Sequence, residues 1–208
     1  SYDREATALQ IYNDRFGYVC LHLIDYQPCV MINYHSQLQA IKNNLIDNGL
    51  DGNRVRYIYP LDESGEKVDV SLIRVPKSMD MFALQINAIH RQCHEDSEVV
   101  CGFMTKYFTP KMLSIAERYF HNVQQSKAVK KSRLLILKNP KAVRIEIPLR
   151  DIAYITGKGE RVVLKQYYGV FSAKHVDIAT QFLIDHIEVR STENVVLDLA
   201  CGNGVIGY

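Results

Sequence analysis

The sequence predicts an α/β protein whose largely parallel sheet carries helices on both faces. A β-hairpin connector and the opening of a second α/β unit follow. Three observations predict this. Apolar runs of strand length alternate with helix-period segments from residue 8 to about residue 140, the alternation that crossover connections turn into parallel strands. From 143 to 171 the pattern changes to short β-rich runs around a "GKGE" turn. A helical segment and an apolar strand ending in "CGNG" then begin anew.

Each element has its own signal. "ALQIYN" (8–13) reads as a strand, "GYVCLHLI" (17–24) as a helix and "CVMINY" (29–34) as a strand. "SQLQAIKNNLIDNG" (36–49) places Leu38, Ile41 and Leu45 on one helical face and closes on Gly49. "RVRYIYP" (54–60) and "VDVSLIRV" (68–75) read as strands. In "SMDMFALQINAIHRQC" (78–93), Phe82, Ile86, Ile89 and Cys93 form one helical stripe. "EVVCGFM" (98–104) is a strand, and "TPKMLSIAERYF" (109–120) is a helix with Thr at its N-cap and Pro at its first position. "SRLLILKN" (132–139) is a strand. After the connector, "HVDIATQFLIDHI" (175–187) is a helix with Val176, Ala179, Leu183 and Ile187 on one side, and the strand at 195–199 follows.

The 208 residues are 47% hydrophobic and 23% charged, the balance of a soluble globular protein. No run reaches the ~18 apolar residues of a membrane span. The start, "SYDREATALQ", has no signal-peptide pattern, and we read the chain as cut at both ends. Five scattered cysteines without a CxxC pair fit reduced thiols and a cytoplasmic protein. A net charge of +2 does not by itself announce nucleic acid.

In "LDLACGNG" a strand runs into Gly202 and Gly204. Glycine lets the backbone turn sharply and approach a ligand, and the N–H groups of the following turn then face it. Asp198, four residues before Gly202, can hold a cation or accept hydrogen bonds from a ligand amine. Gly202, Gly204 and Gly207 also fit the dinucleotide string G-x-G-x-x-G. The leading acid, however, resembles the first motif of S-adenosylmethionine methyltransferases. With the upstream "YYGVFSAKHVDIATQFLIDHI", the segment resembles the junction of the two-domain ribosomal RNA guanine-N2 methyltransferases. It lies nearer their large-subunit (23S) branch than their small-subunit (16S) branch, on "CGNGVIG" and "VSLIRVPKSMDMFALQINAIHRQCHEDSEVVCGF". The resemblance is faint before residue 68 and covers the chain well from there on.

That resemblance implies a Rossmann-like methyltransferase fold. Residues 1–140 would be a degenerate, pseudo-methyltransferase N-terminal domain, 141–170 the β-rich connector, and 171–208 the start of a catalytic domain. It implies S-adenosyl-L-methionine as cofactor of the longer protein, held by Asp198, Cys201, Gly202, Asn203, Gly204, Phe171 and Ser172. Where the family has an Arg after "GVFS", this chain has Ala173 and then Lys174. The family's catalytic Asn-Pro-Pro-aromatic tetrapeptide, whose Asn orients the guanine N2 amine, is not in this sequence. "KNPKA" (138–142) lacks the second proline and the aromatic residue and reads as a turn. No catalytic residue is therefore assigned here, and the fragment is expected to be inactive and not to retain the cofactor.

The first unit reads as a worn copy of the second. With "IYNDRFG" (11–17) laid on "DLACGNG" (198–204), Gly17 meets Gly204, Ile11 stands at the position of Asp198, and Arg15 at that of Gly202. Val75-Pro76-Lys77-Ser78 replaces the tetrapeptide after the fourth strand. An Arg in place of the first glycine would put a long side chain where the ligand lies.

From 118 to 145 the chain has Arg118, Lys127, Lys130, Lys131, Arg133, Lys138, Lys141 and Arg144 without an Asp or Glu. Cations free of nearby acids are what phosphate contacts require, and Tyr119, Phe120 and His121 could stack on bases. For any single lysine a solvated surface is the commoner explanation. The cluster as a whole favours contact with ribosomal RNA. His90, Cys93 and His94 have a metal-compatible helical spacing but want a fourth ligand. Because Cys93 also continues the buried stripe, no metal is expected, and neither is a membrane or an obligate protein partner. A free-standing RNA-binding module and a nucleotide-dependent oxidoreductase are the competing readings.

Overall fold

A computed structural model of the chain describes residues 7–60, 62, 65–147, 149–156, 159–170, 175–188, 190, 192, 195–199 and 201–207. It divides into two compact units, residues 1–145 and 146–208.

The first unit follows the order β1 (Leu9–Tyr12), α1 (Tyr18–His22), β2 (Cys29–Met31), α2 (His35–Asp47), β3 (Arg56–Ile58), β4 (Val68–Arg74), α3 (Met79–Gln92), β5 (Cys93–Met104), α4 (Pro110–Tyr119), β6 (Phe120–Gln125) and β7 (Ser132–Pro140). Its sheet has the strand order β3-β2-β1-β4-β5-β7-β6. The strands from β3 to β5 run parallel, while β7 is antiparallel to both β5 and β6. The order reverses between β1 and β4, so the crevice outside the carboxyl ends of those two strands is where an open α/β sheet takes its ligand.

Side-chain alternation divides the core between the faces of the sheet. Leu9, Ile11, Val30 and Ile32 pack with Cys20 of α1 and with Leu38, Ile41 and Leu45 of α2. Tyr12, Ile73, Val99, Cys101, Leu135 and Leu137 pack on the other face with Phe82, Ile86 and Ile89 of α3 and Met112, Ile115 and Ala116 of α4. The two helical stripes predicted in this unit are thus buried. Gly49, with φ +64°, closes α2 as Leu50 N–H donates to the Leu45 carbonyl at 2.9 Å.

Three local expectations are corrected. The helix expected at 17–24 is one short turn, Tyr18–His22, followed by a 3-10 turn at Ile24–Tyr26. Phe120–Gln125 is the edge strand β6, although Phe120 reads from sequence as the end of a helix and no element is expected at 121–125; its polar "FHNVQQ" has no apolar alternation because one of its sides faces water. Asn139 and Pro140, read as a turn, are the last residues of β7.

The second unit holds the hairpin β8 (Arg150–Ile155) and β9 (Arg161–Gln166) and the helix α5 (Ile178–His186). Asp177 caps α5, accepting from Ala179 N–H at 3.1 Å and Thr180 N–H at 3.4 Å. A small cluster joins Ile152, Val176 and Val205. The other apolar residues find little cover: Ile178, Phe182, Leu183 and Ile187 are exposed, and so are Val195, Val196, Leu197 and Leu199. Val195–Leu199, expected as a strand, makes no ladder. A strand exists only through a neighbour that takes its backbone hydrogen bonds, and none of the described residues of this unit pairs with it.

Candidate functional site

The terminal turn is open and incompletely satisfied. Gly202 and Gly204 take left-handed φ values of +59° and +79°, and a Cβ added at Gly204 would meet nothing within 4 Å. Gly204 N–H donates to the Cys201 carbonyl at 2.8 Å, and Gly207 N–H to that of Gly204 at 3.1 Å. Asn203 ties the turn to β9, its Nδ2 donating to Gln166 Oε1 at 3.1 Å, while its Oδ1 accepts from Val205 N–H at 3.3 Å. Cys201 is exposed. Asp198 is half-buried, and its Oδ2 is buried without a hydrogen-bond partner. Leaving a buried acceptor unmade costs about 1–3 kcal/mol, more for a charged one. An orphaned carboxylate oxygen ahead of an open glycine turn therefore fits a ligand that brings its own donors. Phe171 and Ser172 lie outside the described residues.

The corresponding turn of the first unit is closed. Gly17 has the same φ as Gly204, +79°, but a Cβ there would meet Leu21 Cδ1 at 3.0 Å and Ile41 Cγ1 at 3.1 Å. Its interior is filled by Asp14, which sequence reasoning missed. Asp14 Oδ2 accepts from Cys20 N–H at 2.9 Å, and the backbone N–H dipoles of Val19, Tyr18 and Gly17 also favour the charged carboxylate. Burial pushes its pKa above the ordinary carboxylate value, and the backbone N–H groups oppose the shift. The protein's own carboxylate thus occupies the N–H groups that an anionic ligand would use. Arg15, expected to fill this space, is exposed. An Asp just ahead of a short helix was the available signal, since Asp is a preferred capping residue.

Amides seal the crevice between β1 and β4. Asn13 Nδ2 donates to the Arg74 carbonyl at 2.8 Å and to Gln85 Oε1 at 2.9 Å. Asn13 Oδ1 accepts from Asn33 Nδ2 at 3.1 Å and from Gln85 Nε2 at 3.0 Å. Gln37 accepts from Asn33 N–H at 3.0 Å and donates to the Met31 carbonyl at 3.0 Å. Ile11, at the position of Asp198, is buried. Of Val75–Ser78, the segment after the fourth strand, Val75 N–H bonds the Gly102 carbonyl at 2.9 Å and Ser78 caps α3 through Met81 N–H at 3.3 Å. These residues now serve the fold.

The basic stretch is divided by the strands that carry it. Lys127, Lys130, Lys131 and Arg133 are exposed around the β6–β7 turn. That turn lies at the carboxyl end of β5, where Thr105 N–H donates to the Lys131 carbonyl at 2.9 Å. Arg118, Lys138 and Lys141 lie at the other end of β7, about 25–30 Å away at ~3.3 Å per residue. There Lys138 Nζ pairs with Glu98 at 2.9 Å, and Lys141 Nζ donates to the Glu117 carbonyl at 2.6 Å. One acid from outside the stretch, Glu98, thus reaches the far group. Tyr119 and Phe120, expected to stack on bases, are 2% and 1% exposed and belong to the core; His121 is exposed.

The turn itself is unusual. Lys130 and Lys131 have φ of +45° and +64°. Reciprocal bonds between Val129 and Ser132 at 2.9 and 2.8 Å close a two-residue hairpin, a turn that ordinarily takes Asn-Gly.

His90, Cys93 and His94 are not brought together on a ligand. His90 Nε2 lies 2.9 Å from the Lys141 carbonyl, and burial lowers its pKa. His94 Nε2 lies 2.7 Å from Asp69. Cys93 is buried, its thiol pushed up to about 11 by desolvation. Among the described residues, no three His, Cys, Asp or Glu side chains gather as a metal site.

A family model described as the RLMG N-terminal domain matches residues 2–142, and one described as the methyltransferase small domain matches residues 161–208. The ribosomal RNA large subunit methyltransferase G of Streptomyces griseus is 30% identical over 206 residues, which cover 95% of this chain and 52% of that protein. Its counterpart in Ectopseudomonas mendocina is 32% identical over 205 residues, covering 98% and 54%. The chain therefore spans about half the length of the curated relatives it matches. Among solved structures, the T. thermophilus 16S rRNA N2 methyltransferase in complex with AdoMet and guanosine superposes with a TM-score of 0.65 at 14% identity, over 89% of this chain and 49% of that one. A Pyrococcus horikoshii protein, PH0226, gives 0.50 at 14% identity, over 67% and 84%. The fold is the Rossmann-like one of methyltransferases.

Proposed function

The chain belongs to the RLMG N-terminal domain family, and from that premise we propose that it is the RNA-recognition part, with the start of the catalytic domain, of an S-adenosylmethionine-dependent 23S rRNA guanine-N2 methyltransferase. Residues 1–140 are the degenerate domain, 141–170 the connector and 171–208 the opening of the cofactor-binding domain. The observation that carries this is the unpartnered Asp198 carboxylate oxygen ahead of the open Gly202–Gly204 turn. Asp198, Cys201, Gly202, Asn203 and Gly204 would hold the cofactor, together with Phe171 and Ser172 on the strength of the family resemblance alone. Bound there, S-adenosylmethionine supplies an electrophilic methyl group on its sulfonium. The chain's own contribution is an acceptor at Asp198 and a turn free of side-chain bulk.

The exposed apolar residues of α5 and of Val195–Leu199 support the reading that further strands and helices of the longer protein cover them. The first unit, closed to cofactor, grips RNA through the acid-free turn at Lys127–Arg133. No helix among the described residues is long and apolar enough to cross a membrane, and ribosomal RNA as substrate places the protein in the cytoplasm. The 16S branch is the second reading, on the strength of the T. thermophilus superposition.

The test is methyl transfer from labelled S-adenosylmethionine to unmodified 23S and 16S rRNA by the longer protein carrying these residues. Transfer to a 23S guanine N2 that falls at least ~100-fold in Asp198→Ala is expected, the scale of losing one group that positions reactants. Undiminished transfer by Asp198→Ala, or transfer to 16S rRNA alone, would overturn it.

A further inference from the structure

The carboxyl ends of β1, β2, β3 and β5, and the β6–β7 turn, all lie on one rim of the first unit's sheet. That rim exposes rings as well as cations. Phe16 follows β1, Tyr34 follows β2, Tyr59 follows β3 and Tyr107 follows β5, and they are 66%, 67%, 47% and 47% exposed. Four large rings left in water on one edge are not explained by packing. Two of them line a single cleft of about 180 Å³: Tyr34 and Tyr59, with His35 and Pro60, over a floor of Ile32 and Leu38.

Each wall of the cleft is fixed. Tyr34 is the residue from which α2 starts, and its neighbour Asn33 is bound to Asn13 and Gln37. Tyr59 N–H donates to Asp62 Oδ2 at 2.9 Å, and Asp62 N–H returns to the Tyr59 carbonyl at 3.0 Å. The backbone on both sides of the cleft is thus held in place, buried Ile32 and Leu38 are apolar, and Asn33 and His35 are also among its lining residues. An aromatic slot of this kind takes a flat heteroaromatic ring, and alternating rings and cations are how proteins hold single strands.

The rest of the rim decides whether that ring is free or belongs to a polymer. Lys106 lies 4.8 Å from the Tyr107 ring, next to the Lys130–Lys131 turn. Strand β2 is four strand steps from β7 in the sheet, about 19 Å at ~4.8 Å per step. Arg15 and Lys77 are exposed on the rim between them.

We infer that the cleft between Tyr34 and Tyr59 holds an unpaired nucleobase of the RNA strand whose phosphates lie on Lys130 and Lys131. This rests on the RNA-gripping reading above and adds where a base is held. The crevice sealed by Asp14 and Asn13 separates the two contacts, so the strand crosses the rim over a closed surface.

The experiment uses this chain with a labelled single-stranded oligoribonucleotide of about 12 nucleotides, within the ~4–16 that one such fold covers. Affinity is read by anisotropy at several salt concentrations. Tyr34→Ala and Tyr59→Ala should each weaken binding about tenfold, as loss of a stacking ring does, with the salt slope unchanged. Tyr34→Phe with Tyr59→Phe should bind as the parent does, which separates lost stacking from a disturbed fold. Lys130→Ala with Lys131→Ala should weaken binding with a reduced salt slope. If the alanine variants bind as tightly as the parent while the lysine variant does not, the inference is overturned, the gripping role stands, and the cleft is left to a protein partner. Free adenosine binding as tightly as the oligonucleotide would overturn it in favour of a nucleoside site. Absence of RNA binding by the parent at low salt would remove both readings.

Discussion

Two glycine turns in this chain share a left-handed glycine conformation and differ in what fills them. Gly17 and Gly204 both have φ +79°, and each follows a hydrophobic run by the same number of residues. Around Gly17 the space is taken: Asp14 accepts from Cys20 N–H, and Leu21 and Ile41 stand within 3.0–3.3 Å of a Cβ added at the glycine. Around Gly204 the space is open: a Cβ added there would meet nothing within 4 Å, and the Asp198 acceptor is unmade. The same glycine conformation is therefore compatible with an open turn and with one filled by the protein's own side chains. Nothing need be unfolded. The first turn has Ile11 where the second has Asp198, and its acid, Asp14, stands three residues later and accepts from the protein's own Cys20 N–H.

That contrast makes opposite predictions for the two acids. Asp198→Ala should lower methyl transfer by the longer protein at least ~100-fold and leave the fold no less stable, because its buried Oδ2 has no partner to lose. Asp14→Ala should leave transfer per folded molecule unchanged and cost the fold about 1–3 kcal/mol, the range for stripping buried N–H groups of their acceptor. Calorimetry and the transfer assay read the two effects separately, and a stability loss at Asp198 larger than at Asp14 would break the comparison. Asp14 also carries a pH signature. Its folded pKa is raised, so between the ordinary carboxylate value near 4 and the raised one the folded state holds more protons than the unfolded. Stability therefore declines as pH rises through that window. Asp14→Asn, with no proton to lose, should flatten the decline, seen as melting temperature against pH for the two proteins.

The glycines sharpen the same point with a smaller effect. Gly17→Ala forces a left-handed alanine, a cost of about 1–2 kcal/mol, and adds contacts of 3.0–3.1 Å to Leu21 and Ile41 that must give way. Gly204→Ala carries the backbone strain without the crowding. Urea titrations should place Gly17→Ala below Gly204→Ala in stability, whereas cofactor affinity in the longer protein should fall only for Gly204→Ala.

Much of this was legible in the sequence, for identifiable reasons. Helices α2, α3 and α4 declared themselves because each buries one continuous stripe on a sheet face, which periodicity reports directly. The equivalence of Gly17 and Gly204 was legible because a left-handed turn restricts the residue that can occupy it. Strand β6 was not, since an edge strand with one wet side need not be apolar. Asp14 was missed because the signal it left, an Asp ahead of a short helix, does not say which N–H group its carboxylate takes. The apparent unity of Arg118 to Arg144 failed because two antiparallel strands carry their ends to opposite rims, where Glu98 and the Glu117 carbonyl wait.

The smallest expected effect concerns the turn that remains of that stretch. Lys130 and Lys131 are both held at positive φ, where a lysine side chain is unfavourable and Asn-Gly is at ease. Strain of this kind persists where surrounding structure over-determines it, and here the Lys131 carbonyl is fixed by Thr105 N–H and Oγ1 at 2.9 and 3.2 Å. Lys130→Asn with Lys131→Gly should therefore stabilise the first unit by a few tenths to about 1 kcal/mol. The same change should weaken RNA binding and lower its salt slope by about one per lost phosphate contact. Lys42→Ala with Lys67→Ala is the control: Lys42 lies 5.9 Å from the Tyr57 ring and Lys67 donates to the Cys93 carbonyl, so RNA affinity should hold. A turn variant that gains stability and keeps its full salt slope would show that the two lysines carry strain without gripping RNA, and the closed turn and the basic turn would then have to be explained separately.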